Sequence, residues 1–451
     1  MKKGLNGKTI GICLLIGVGY SWISTGYMCW IYRMLDDFHA ETVELFTNVI
    51  DYIFQAIGII LISVYTHKKG FNIKKIFTIS VILEQIFMAA AILVPVPSLS
   101  VLFGIIMDLF CGMLIGCFLC YLTVLKKYKS IVFGIGWSIG SISTWLTSIP
   151  MDGEFLKSRI SLVLYVVLAV ISLLIIHFPL DNIEREYEQT KSPGLSMKMI
   201  ALSMLTVILL EITRNMGFLY PVSDLAEGTV DMEYSRAFYV IGLIIAGIVC
   251  DKTRQGGLLL CVCTLICPFI SLFLKNLPIG NIVLWALNYA VTGFITVYGV
   301  TLFSDFAGEL LYLAGFGILC RRIGEPAGAL LGKMMADTPV ILIIFISIFF
   351  FTSVLCAALL WKNLYLPQLT AENKDGSLSE EERLASFAGE MGFSARETEV
   401  FREVLKGSSN SRVAGDLFIT ENTVKFHMKN ILKKTGAANR AELTKMFNDR
   451  K

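Results

Sequence analysis

The chain has 451 residues, 55% of them hydrophobic and 17% charged, and its mean hydropathy is +0.68. So apolar a composition excludes an ordinary soluble protein. The formal net charge of +3 excludes no class of partner, because two parts of different composition contribute to it. We therefore predict one large membrane domain followed by a small soluble domain.

Twelve apolar runs of about 20 residues are long enough to cross a bilayer as helices. They are residues 8–31, 45–66, 76–95, 99–125, 131–150, 159–180, 199–220, 236–250, 258–275, 279–303, 311–334 and 338–361. The eighth run is short, and charged residues interrupt the eleventh. The first run lacks a cleavage site and is followed by many more, which favours a membrane span over a secretory signal peptide.

The loops between these runs alternate in charge. Basic residues precede the first run and follow the second, fourth, sixth and eighth: Lys2, Lys3, Lys8, Lys68, Lys69, Lys74, Lys75, Lys126, Lys127, Lys129, Lys191, Lys198, Lys252 and Arg254. Acidic residues dominate the loops after the first and seventh runs: Asp36, Asp37, Glu41, Glu44, Asp224, Glu227, Asp231 and Glu233. Because basic loops stay in the cytoplasm, we predict a multi-pass protein of the cell inner (cytoplasmic) membrane with both termini cytoplasmic.

Six runs, a polar segment at 181–198 and six further runs form an arrangement that resembles the major facilitator superfamily. The segment Gly247-x-x-x-Asp251-Lys-x-Arg254-x-Gly256 is similar to a cytoplasmic loop motif of that superfamily. The matching loop of the first half, Thr66-His-Lys-Lys-Gly70, keeps the basic charge but lacks the acidic residue. The resemblance implies an all-α bundle of six plus six transmembrane helices, and the missing acidic residue favours a sensor over a carrier.

Charged side chains inside apolar runs are costly, so they mark candidate functional residues. Glu211 and Arg214 lie three residues apart, and either Arg321 or Arg322 lies one helical turn before Glu325, so each helix can form an ion pair on one face. In a facilitator-like fold, the first, fourth, seventh and tenth spans line a central cavity. The predicted ligand-binding residues are Tyr20, Asp108, Glu211, Arg214, Asn288, Arg321 and Glu325.

Two interpretations of these charges stay open for any single residue: contact with a ligand, or pairing across helices that locks the bundle. For the whole set, a cavity is favoured because several different spans each carry a charge. A mixture of arginine, carboxyl and aromatic groups suits a small amphipathic or aromatic molecule, with a carboxylate held by Arg214.

The composition changes sharply after Trp361. Residues 367–377 form a polar linker, and Ser379 with Glu382 fits a capping box for an amphipathic helix through Met391. This helix could pack on either neighbouring domain, and it could transmit a signal or act only as a spacer.

The last part of the chain carries signals for four short helices. Ser394 and Glu397 fit a capping box for a helix through Lys406, and Gly407 ends it. Ser409 fits the N-cap of a second helix, which extends to Leu417. Thr420 fits the N-cap of a third, and a fourth begins near Ala438. The second and third helices are separated by a tight turn, which is typical of a helix-turn-helix module.

The third helix has two contrasting faces. An apolar stripe comprises Val424, Met428 and Ile431, and a basic stripe comprises Lys425, Lys429 and Lys433. Residues 394–451 contain twelve Lys/Arg and seven Asp/Glu, so the segment is basic overall. Such a helix can pack on its own domain through one face and present charge to phosphates through the other.

These residues resemble the LuxR-type DNA-binding domain. The resemblance rests on Glu397, Val400, Gly407-x-Ser409-Asn410, Val413-Ala414, Leu417-x-Ile419, Thr423-Val424-Lys425-x-His427, Ile431, Lys433-Lys434 and Asn439-Arg440-x-Glu442-Leu443. It implies that the third helix enters the major groove of double-stranded DNA and that the last helix supports a dimer on DNA. The residues implied to bind DNA are Asn410, Thr423, Lys425, Phe426, His427, Lys429 and Lys433.

Among these residues, Lys425, Phe426 and Lys429 are expected nearest the base edges, and the others nearer the phosphates. The alternative is a basic helical module that binds a protein or a lipid surface; the density of the pattern favours DNA. Together the signals predict three parts. They are a membrane sensor domain similar to the major facilitator superfamily at 1–365, the linker and amphipathic helix at 366–392, and the DNA-binding domain at 393–451.

No enzyme signature, cofactor motif or metal-ligand spacing is present in the sequence, and most of the eleven cysteines lie within apolar runs. The leading hypothesis is therefore a membrane-bound one-component transcriptional regulator whose transmembrane domain senses a small molecule. A second hypothesis is a transporter with a DNA-binding regulatory tail, which would accumulate substrate in vesicles. A third, a carrier whose tail binds only proteins, gives the lysine stripe no role.

Overall fold

The computed structural model describes residues 7–148, 159–181, 183, 187, 195–216, 237–274, 280–335, 338–369 and 380–449. Within these ranges every regular element is helical. The chain divides into two compact units, Met1–Asn363 and Leu364–Lys451. The predicted cap residue Ser379 and the predicted acidic loop with Asp224, Glu227, Asp231 and Glu233 lie outside the described residues.

The described part of the first unit contains fourteen α-helices. They are α1 (Gly7–Asp37), α2 (Ala40–Leu45), α3 (Asp51–Lys69), α4 (Lys74–Leu93), α5 (Pro97–Thr123), α6 (Lys129–Ser148), α7 (Arg159–His177), α8 (Met197–Met216), α9 (Ala237–Lys252), α10 (Arg254–Cys263), α11 (Cys267–Leu274), α12 (Gly280–Phe306), α13 (Phe316–Met334) and α14 (Pro339–Leu360). Short 3₁₀ or π turns connect or extend several of them.

A helix occupies each of the twelve predicted runs, although the ninth is broken into α10, a 3₁₀ turn and α11. Among the described residues, seven helices are long and apolar enough to cross a bilayer: Gly7–Asp37, Lys74–Leu93, Pro97–Thr123, Arg159–His177, Met197–Met216, Ala286–Phe306 and Pro339–Leu369. These seven are compatible with a membrane protein. The other runs are shorter or less apolar as helices, and their role as spans stays a prediction.

Large apolar side chains cover much of the outer surface of the first unit. Val163 on α7, Val340 and Phe351 on α14 and Leu93 on α4 are each more than 60% exposed. Several charged side chains of the same unit are buried instead, among them Arg214 and Glu211 completely. Apolar side chains outside and charged groups inside are the distribution expected of a bundle surrounded by lipid.

The helix pairs of the first unit repeat after six predicted runs. The first run packs on the fifth and sixth (α1 with α6 and α7), and the seventh packs on the eleventh and twelfth (α8 with α13 and α14). The second packs on the fourth (α3 with α5), and the eighth on the tenth (α9 with α12). Between the first six and the last six runs, the second run contacts the eleventh (α3 with α13) and the fifth contacts the eighth (α6 with α9).

Small residues permit the closest of these contacts. A Cβ built at Gly58 on α3 would lie 2.1 Å from the carbonyl oxygen of Leu109, and one at Gly242 on α9 would lie 1.9 Å from that of Ala290. These two glycines lie in the second and the eighth predicted runs, which are equivalent positions if the helices repeat after six runs. Because lipid offers no hydrophobic driving force between helices, close backbone packing of this kind is a main source of their association.

The described part of the second unit contains five α-helices: α15 (Glu380–Glu390), α16 (Ala395–Leu405), α17 (Asn410–Asp416), α18 (Glu421–Thr435) and α19 (Arg440–Asp449). They enclose one core whose fully buried members include Val400, Phe401, Val413, Val424 and Ile431. The apolar stripe of α18 therefore faces this core, as the periodicity predicts.

Four helix limits differ by one or two residues from the sequence prediction. Helix α15 ends at Glu390 and not at Met391, and α17 ends at Asp416 and not at Leu417. Helix α16 ends at Leu405 because Gly407 takes a left-handed conformation (φ 77°) that stops the helix. Helix α19 begins at Arg440 and not at Ala438, because the Asn439 side chain accepts a hydrogen bond from the Glu442 amide (2.9 Å) and so occupies the N-cap.

Candidate nucleic-acid interface

Side-chain caps fix where the helices of the module begin. Ser394 and Glu397 form the complete capping box of α16, with the Ser394 amide donating to the Glu397 carboxylate at 2.7 Å. Ser409 caps α17, and Thr420 caps α18 by accepting from the Thr423 amide at 3.2 Å. Each cap satisfies amide groups that a helix start leaves unbonded, so these residues set the starting points and phase of α16 to α18.

The predicted basic face of α18 is open to solvent. Lys425, Lys429 and Lys433 are exposed, and their four-residue spacing places them along one side of the helix. The opposite side is buried through Val424 and Ile431. Helix α18 is thus held by its apolar face and presents three lysines outward.

Two further basic residues of the module contact protein groups. Lys434 donates to the Glu397 carboxylate at 2.6 Å and to the carbonyl oxygen of Gly392 at 2.8 Å. Arg440 donates to the carbonyl oxygens of Val404 (3.2 Å) and Ser408 (2.5 Å), next to the end of α16. These two cations therefore join the helices of the module to one another.

Two aromatic side chains stand out on the same unit. Phe426 on α18 is 61% exposed, and its ring lies edge-on to His427 with centroids 5.7 Å apart. Phe418, in the turn between α17 and α18, is 95% exposed and has a left-handed backbone (φ 54°). An exposed phenylalanine beside a lysine row offers an apolar contact that lysines cannot provide.

The remaining predicted DNA-binding residues are partly buried around the start of the two helices. Asn410 opens α17, and Thr423 lies in the first turn of α18 with its hydroxyl 2.8 Å from that of Thr420. His427 is half-buried one turn further along α18. The module thus brings all seven predicted residues onto α17 and α18, the two helices that flank the turn.

Glu397 provides a pH-sensitive link in the module. Burial alone raises the pKa of this carboxyl, but hydrogen bonds from Lys434 and from the Ser394 amide outweigh it, so the pKa lies below its ordinary value of 4.5. A lowered folded-state pKa stabilises the fold above pH 4.5, and this contribution is lost as the pH falls through the folded-state value.

We therefore expect Glu397→Gln to lower the free energy of unfolding by about 1 kcal/mol at neutral pH, since it also weakens the cap. The difference from wild type is expected to shrink progressively below pH 4.5. Urea denaturation of a 364–451 fragment at several pH values measures it. Glu399→Gln, which removes a surface partner of Arg396, is the control; a difference independent of pH would contradict the role of the Glu397 charge.

Helix α15 is an integral part of this unit. Leu384 and Phe387 are buried in the common core, and the Phe387 ring lies 5.4 Å from Phe401 and 5.5 Å from Phe447, between centroids. Arg383 lies over the Phe447 ring at 4.9 Å and donates to the carbonyl oxygen of Phe447 at 3.3 Å. Of the two packing partners left open by the sequence, α15 packs on the module, against its last helix.

In the first unit, four of the seven predicted ligand-binding residues form one network, in which Glu211 and Arg214 are buried and Arg321 and Glu325 partly so. Arg214 donates to Glu211 (3.1 Å) and lies 3.5 Å from Glu325, while Arg321 donates to Glu325 at 2.7 Å. Arg214 also donates to the Thr292 hydroxyl at 2.7 Å. The predicted pairing within α8 and within α13 is therefore present, and Glu325 joins the two helices.

The other three predicted ligand-binding residues have the following contacts. Tyr20 stacks on Trp137 with ring centroids 3.9 Å apart. Asp108 accepts a hydrogen bond from Gln55 at 2.7 Å, within the first half of the unit. Asn288 is buried on α12, one helical turn before Thr292. Tyr20 is partly buried and Asp108 is fully buried, and the carbonyl oxygen of Asn288 accepts from the Thr292 hydroxyl at 2.7 Å, so Asn288 adjoins the network.

Sequence reasoning missed several members of the network. Arg321 donates to the Tyr239 hydroxyl (2.9 Å) on α9 and to the Thr296 hydroxyl (2.8 Å) on α12. Arg322, which the sequence offered as an alternative partner of Glu325, lies over the ring of Tyr52 at 4.3 Å. Threonine and tyrosine residues are common inside apolar runs, so their presence alone did not predict a bond to a buried charge. Thr292 and Thr296 do share one helical face.

The comparisons with known proteins concern the second unit. A model of the family described as "Bacterial regulatory proteins, luxR family" matches residues 391–447. The chain is 44% identical over 54 residues to "Regulatory protein SdiA" of Escherichia coli (strain K12), which covers 12% of this chain and 22% of that protein.

Other relatives are similar to the same extent. Identity is 43% over 54 residues to the "CsgBAC operon transcriptional regulatory protein" of Escherichia coli (strain K12), covering 12% of this chain and 25% of the relative. It is 42% over 52 residues to the "Nitrate/nitrite response regulator protein homolog" of Haemophilus influenzae, with the same coverage. The chain thus spans a quarter or less of the length of these relatives. Residues 391–447 form a LuxR-type helix-turn-helix domain at the C-terminal end of this chain.

Proposed function

We propose that the protein is a membrane-bound one-component transcriptional regulator, in which the first unit senses a small molecule and the second binds DNA. The observation that carries the proposal is the exposed row of Lys425, Lys429 and Lys433 on α18, within the segment that matches the luxR family. The same chain carries seven helices long and apolar enough to cross a membrane. Regulation is therefore proposed to start in the membrane.

In the proposed complex, α18 lies in the major groove of double-stranded DNA. Lys425, Phe426 and Lys429 face the base edges, and the Phe426 ring can contact a thymine methyl group. Residues at the flanks, namely Asn410, Thr423, His427 and Lys433, contact the phosphates. The exposure of the lysine row and the anchoring of α18 through its buried face support this orientation.

For the first unit we propose the six-plus-six arrangement similar to the major facilitator superfamily, within residues 1–365. The repetition of helix pairs after six runs supports it, because two equivalent halves produce matching contacts. We propose residues 366–392 as the connecting segment and 393–451 as the DNA-binding domain. The proposed location is the inner membrane, with both termini in the cytoplasm, on the basis of loop charge.

The proposed effector site comprises Tyr20, Asp108, Glu211, Arg214, Asn288, Arg321 and Glu325. Arg214 bonds closely to Glu211 and Thr292, whereas Glu325 lies at the longer distance of 3.5 Å. A ligand carboxylate could take the place of Glu325 beside Arg214, because this is the longest of the three contacts and the one whose loss costs least. The ligand can shift the domain only as far as it binds one conformation better than another.

Dimerisation provides the proposed output. Two tethered modules held near one palindromic site act at a raised effective concentration. We propose that the effector changes how α19, the last helix, is presented for dimer contact. The packing of α15 against Phe447 on α19 gives the connecting segment a direct contact with that helix.

The test is DNA binding by a fragment of residues 377–451, which retains α15, against the DNA upstream of its own gene over a salt series. We expect specific binding that weakens steeply with salt. Replacing Lys425, Lys429 and Lys433 by alanine together should abolish specific binding and reduce the slope of log K against log salt by about 3.

The matched control removes three positive charges elsewhere. Arg396, Lys406 and Lys445 are exposed and lie off α18, so replacing all three by alanine should leave sequence preference intact. If both triple variants lose the same DNA affinity, the loss reflects the overall charge of the fragment and not the α18 face. Unchanged binding after loss of the α18 lysines would reject the DNA-binding proposal for this face.

A transporter with a DNA-binding tail is the second candidate, and one set of contacts favours it. Asp251 accepts from the Ser130 and Ile131 amides (3.1 and 2.9 Å) at the start of α6, and Arg254 donates to the Ser130 hydroxyl at 3.1 Å. These bonds tie the loop motif of one half to the other half, as a gate would require. Accumulation of a substrate in vesicles containing the protein would favour this candidate.

A further inference from the structure

Asp51, Gln55 and Asp108 form a buried polar cluster in the first half of the membrane unit. Asp51 and Gln55 lie one turn apart on α3, and Asp108 lies on α5. Both aspartates are completely buried, and Gln55 is 4% exposed. Gln55 Nε2 donates to Asp108 Oδ1 at 2.7 Å, and the two carboxyl groups lie within hydrogen-bonding reach of each other.

The cluster has too few donors for its acceptors. Within the described part of the chain, both carboxyl oxygens of Asp51, Oδ2 of Asp108 and Oε1 of Gln55 are buried without a donor. Covalent geometry keeps Gln55 Oε1 beside the Nε2 atom that contacts Asp108, so it belongs to the same site. Buried acceptors without donors cost free energy, and two adjacent ionised carboxylates cost more.

Two neighbouring side chains carry donors, Tyr27 and Arg322, and in the described part of the chain neither bonds to these oxygens. Tyr27 on α1 lies within hydrogen-bonding reach of Asp51, but its hydroxyl donates to the carbonyl oxygen of Thr47 at 3.1 Å. Arg322 on α13 is an electrostatic neighbour of both aspartates, with its guanidinium group over the Tyr52 ring. The other titratable groups that act on the site are Glu84 on α4 and Cys111 on α5.

Helix packing prevents the pair from separating. A Cβ at Gly112 on α5 would lie 2.1 Å from the carbonyl oxygen of Gln55, and one at Gly58 on α3 would lie 2.1 Å from that of Leu109. The backbones of α3 and α5 therefore touch at the cluster. Two negative charges held at such a crossing would repel each other across the contact.

We propose that Asp51 and Asp108 form a binding site for one proton. Asp51 carries the proton and donates it to the carboxylate of Asp108, which also accepts from Gln55. The shared proton supplies the missing donor and removes one of two adjacent charges. Release of the proton leaves two carboxylates at the α3–α5 crossing and so favours a state in which these helices move apart, which links the conformation of the unit to pH.

Infrared spectroscopy of the full-length protein in lipid nanodiscs tests this directly. Aspartate carrying a ¹³C-labelled side-chain carboxyl group separates these carboxyls from Glu84 and all other glutamates. We expect the labelled protein at neutral pH to show the C=O stretch of a protonated, hydrogen-bonded carboxylic acid, which decreases as the pH rises. Asp51→Asn should remove this band, and Asp108→Asn should shift it to a higher frequency, as its acceptor is lost.

Asp36→Asn, which alters an exposed carboxyl at the end of α1, is the control and should leave the band unchanged. The infrared readout requires neither effector nor DNA, so it is independent of the proposed regulatory function. The proposal would be overturned if the wild-type protein shows only carboxylate bands for aspartate. In that case Asp51→Asn would change the spectrum only by the loss of one carboxylate. A sodium-dependent shift of those carboxylate bands would then assign the site to a metal cation.

Discussion

Replacement of Phe387 by alanine is expected to lower the free energy of unfolding of the C-terminal unit by about 3–5 kcal/mol. Phe387 is 4% exposed and contacts the rings of Phe393, Phe401 and Phe447, with centroids 5.4–5.9 Å apart. Alanine would leave a cavity between α15, α16 and α19 that surrounding side chains cannot fill. Urea denaturation of a 364–451 fragment measures the change.

The control is Phe418→Ala, because Phe418 is 95% exposed and its loss should change stability by less than about 0.5 kcal/mol. The result matters because α15 precedes the segment that matches the luxR family. A loss below about 1 kcal/mol in Phe387→Ala would mean that α15 is only a loosely attached spacer. A loss of stability of about 3–5 kcal/mol would mean that α15 is the fifth helix of the module and can transmit a change to α19.

Replacement of Arg214 by alanine is expected to have a comparable effect on the first unit, about 3–5 kcal/mol. Arg214 and Glu211 are both fully buried, and the guanidinium group also donates to Thr292 on α12. Removing the arginine leaves the Glu211 carboxylate buried near Glu325 without its main partner. Breaking a buried ion pair from one side costs far more than the pair itself contributes, because an uncompensated charge remains.

Thermal unfolding of the purified full-length protein in detergent measures this effect. Arg159→Ala, at the exposed start of α7, is the control and should be close to wild type. The double variant Arg214→Ala with Glu211→Gln should recover part of the loss, since it removes the unpaired charge. If the single and double variants are equally unstable, the loss reflects packing of the arginine side chain and not the charge.

Local signals in the sequence were sufficient for the secondary structure of the module. Ser394, Ser409 and Thr420 act as caps where predicted, because capping depends only on a side chain and the amides two or three residues later. The lysine and apolar stripes of α18 follow directly from the helical repeat. The same holds for the helices in the twelve apolar runs, since length and apolar composition are local properties.

The sequence could not distinguish neighbouring residues of the same type. Lys433 and Lys434 are adjacent and both exposed, yet Lys434 bonds to Glu397, which is 37 residues away. Arg440, which the resemblance includes, bonds to two carbonyl oxygens next to the end of α16. A one-residue step turns a side chain by about 100° around a helix, and only the packed neighbours decide which direction meets a partner.

By itself, therefore, the sequence determined the helices, their caps, the exposed basic face and the presence of buried charges within apolar runs. The tertiary structure decided that α15 joins the module, that Arg214 and Arg321 meet through Glu325, and that Asp51 meets Asp108. The physical reason is the range of the interactions. Helix formation depends on residues within about four positions, whereas these contacts depend on how distant helices cross.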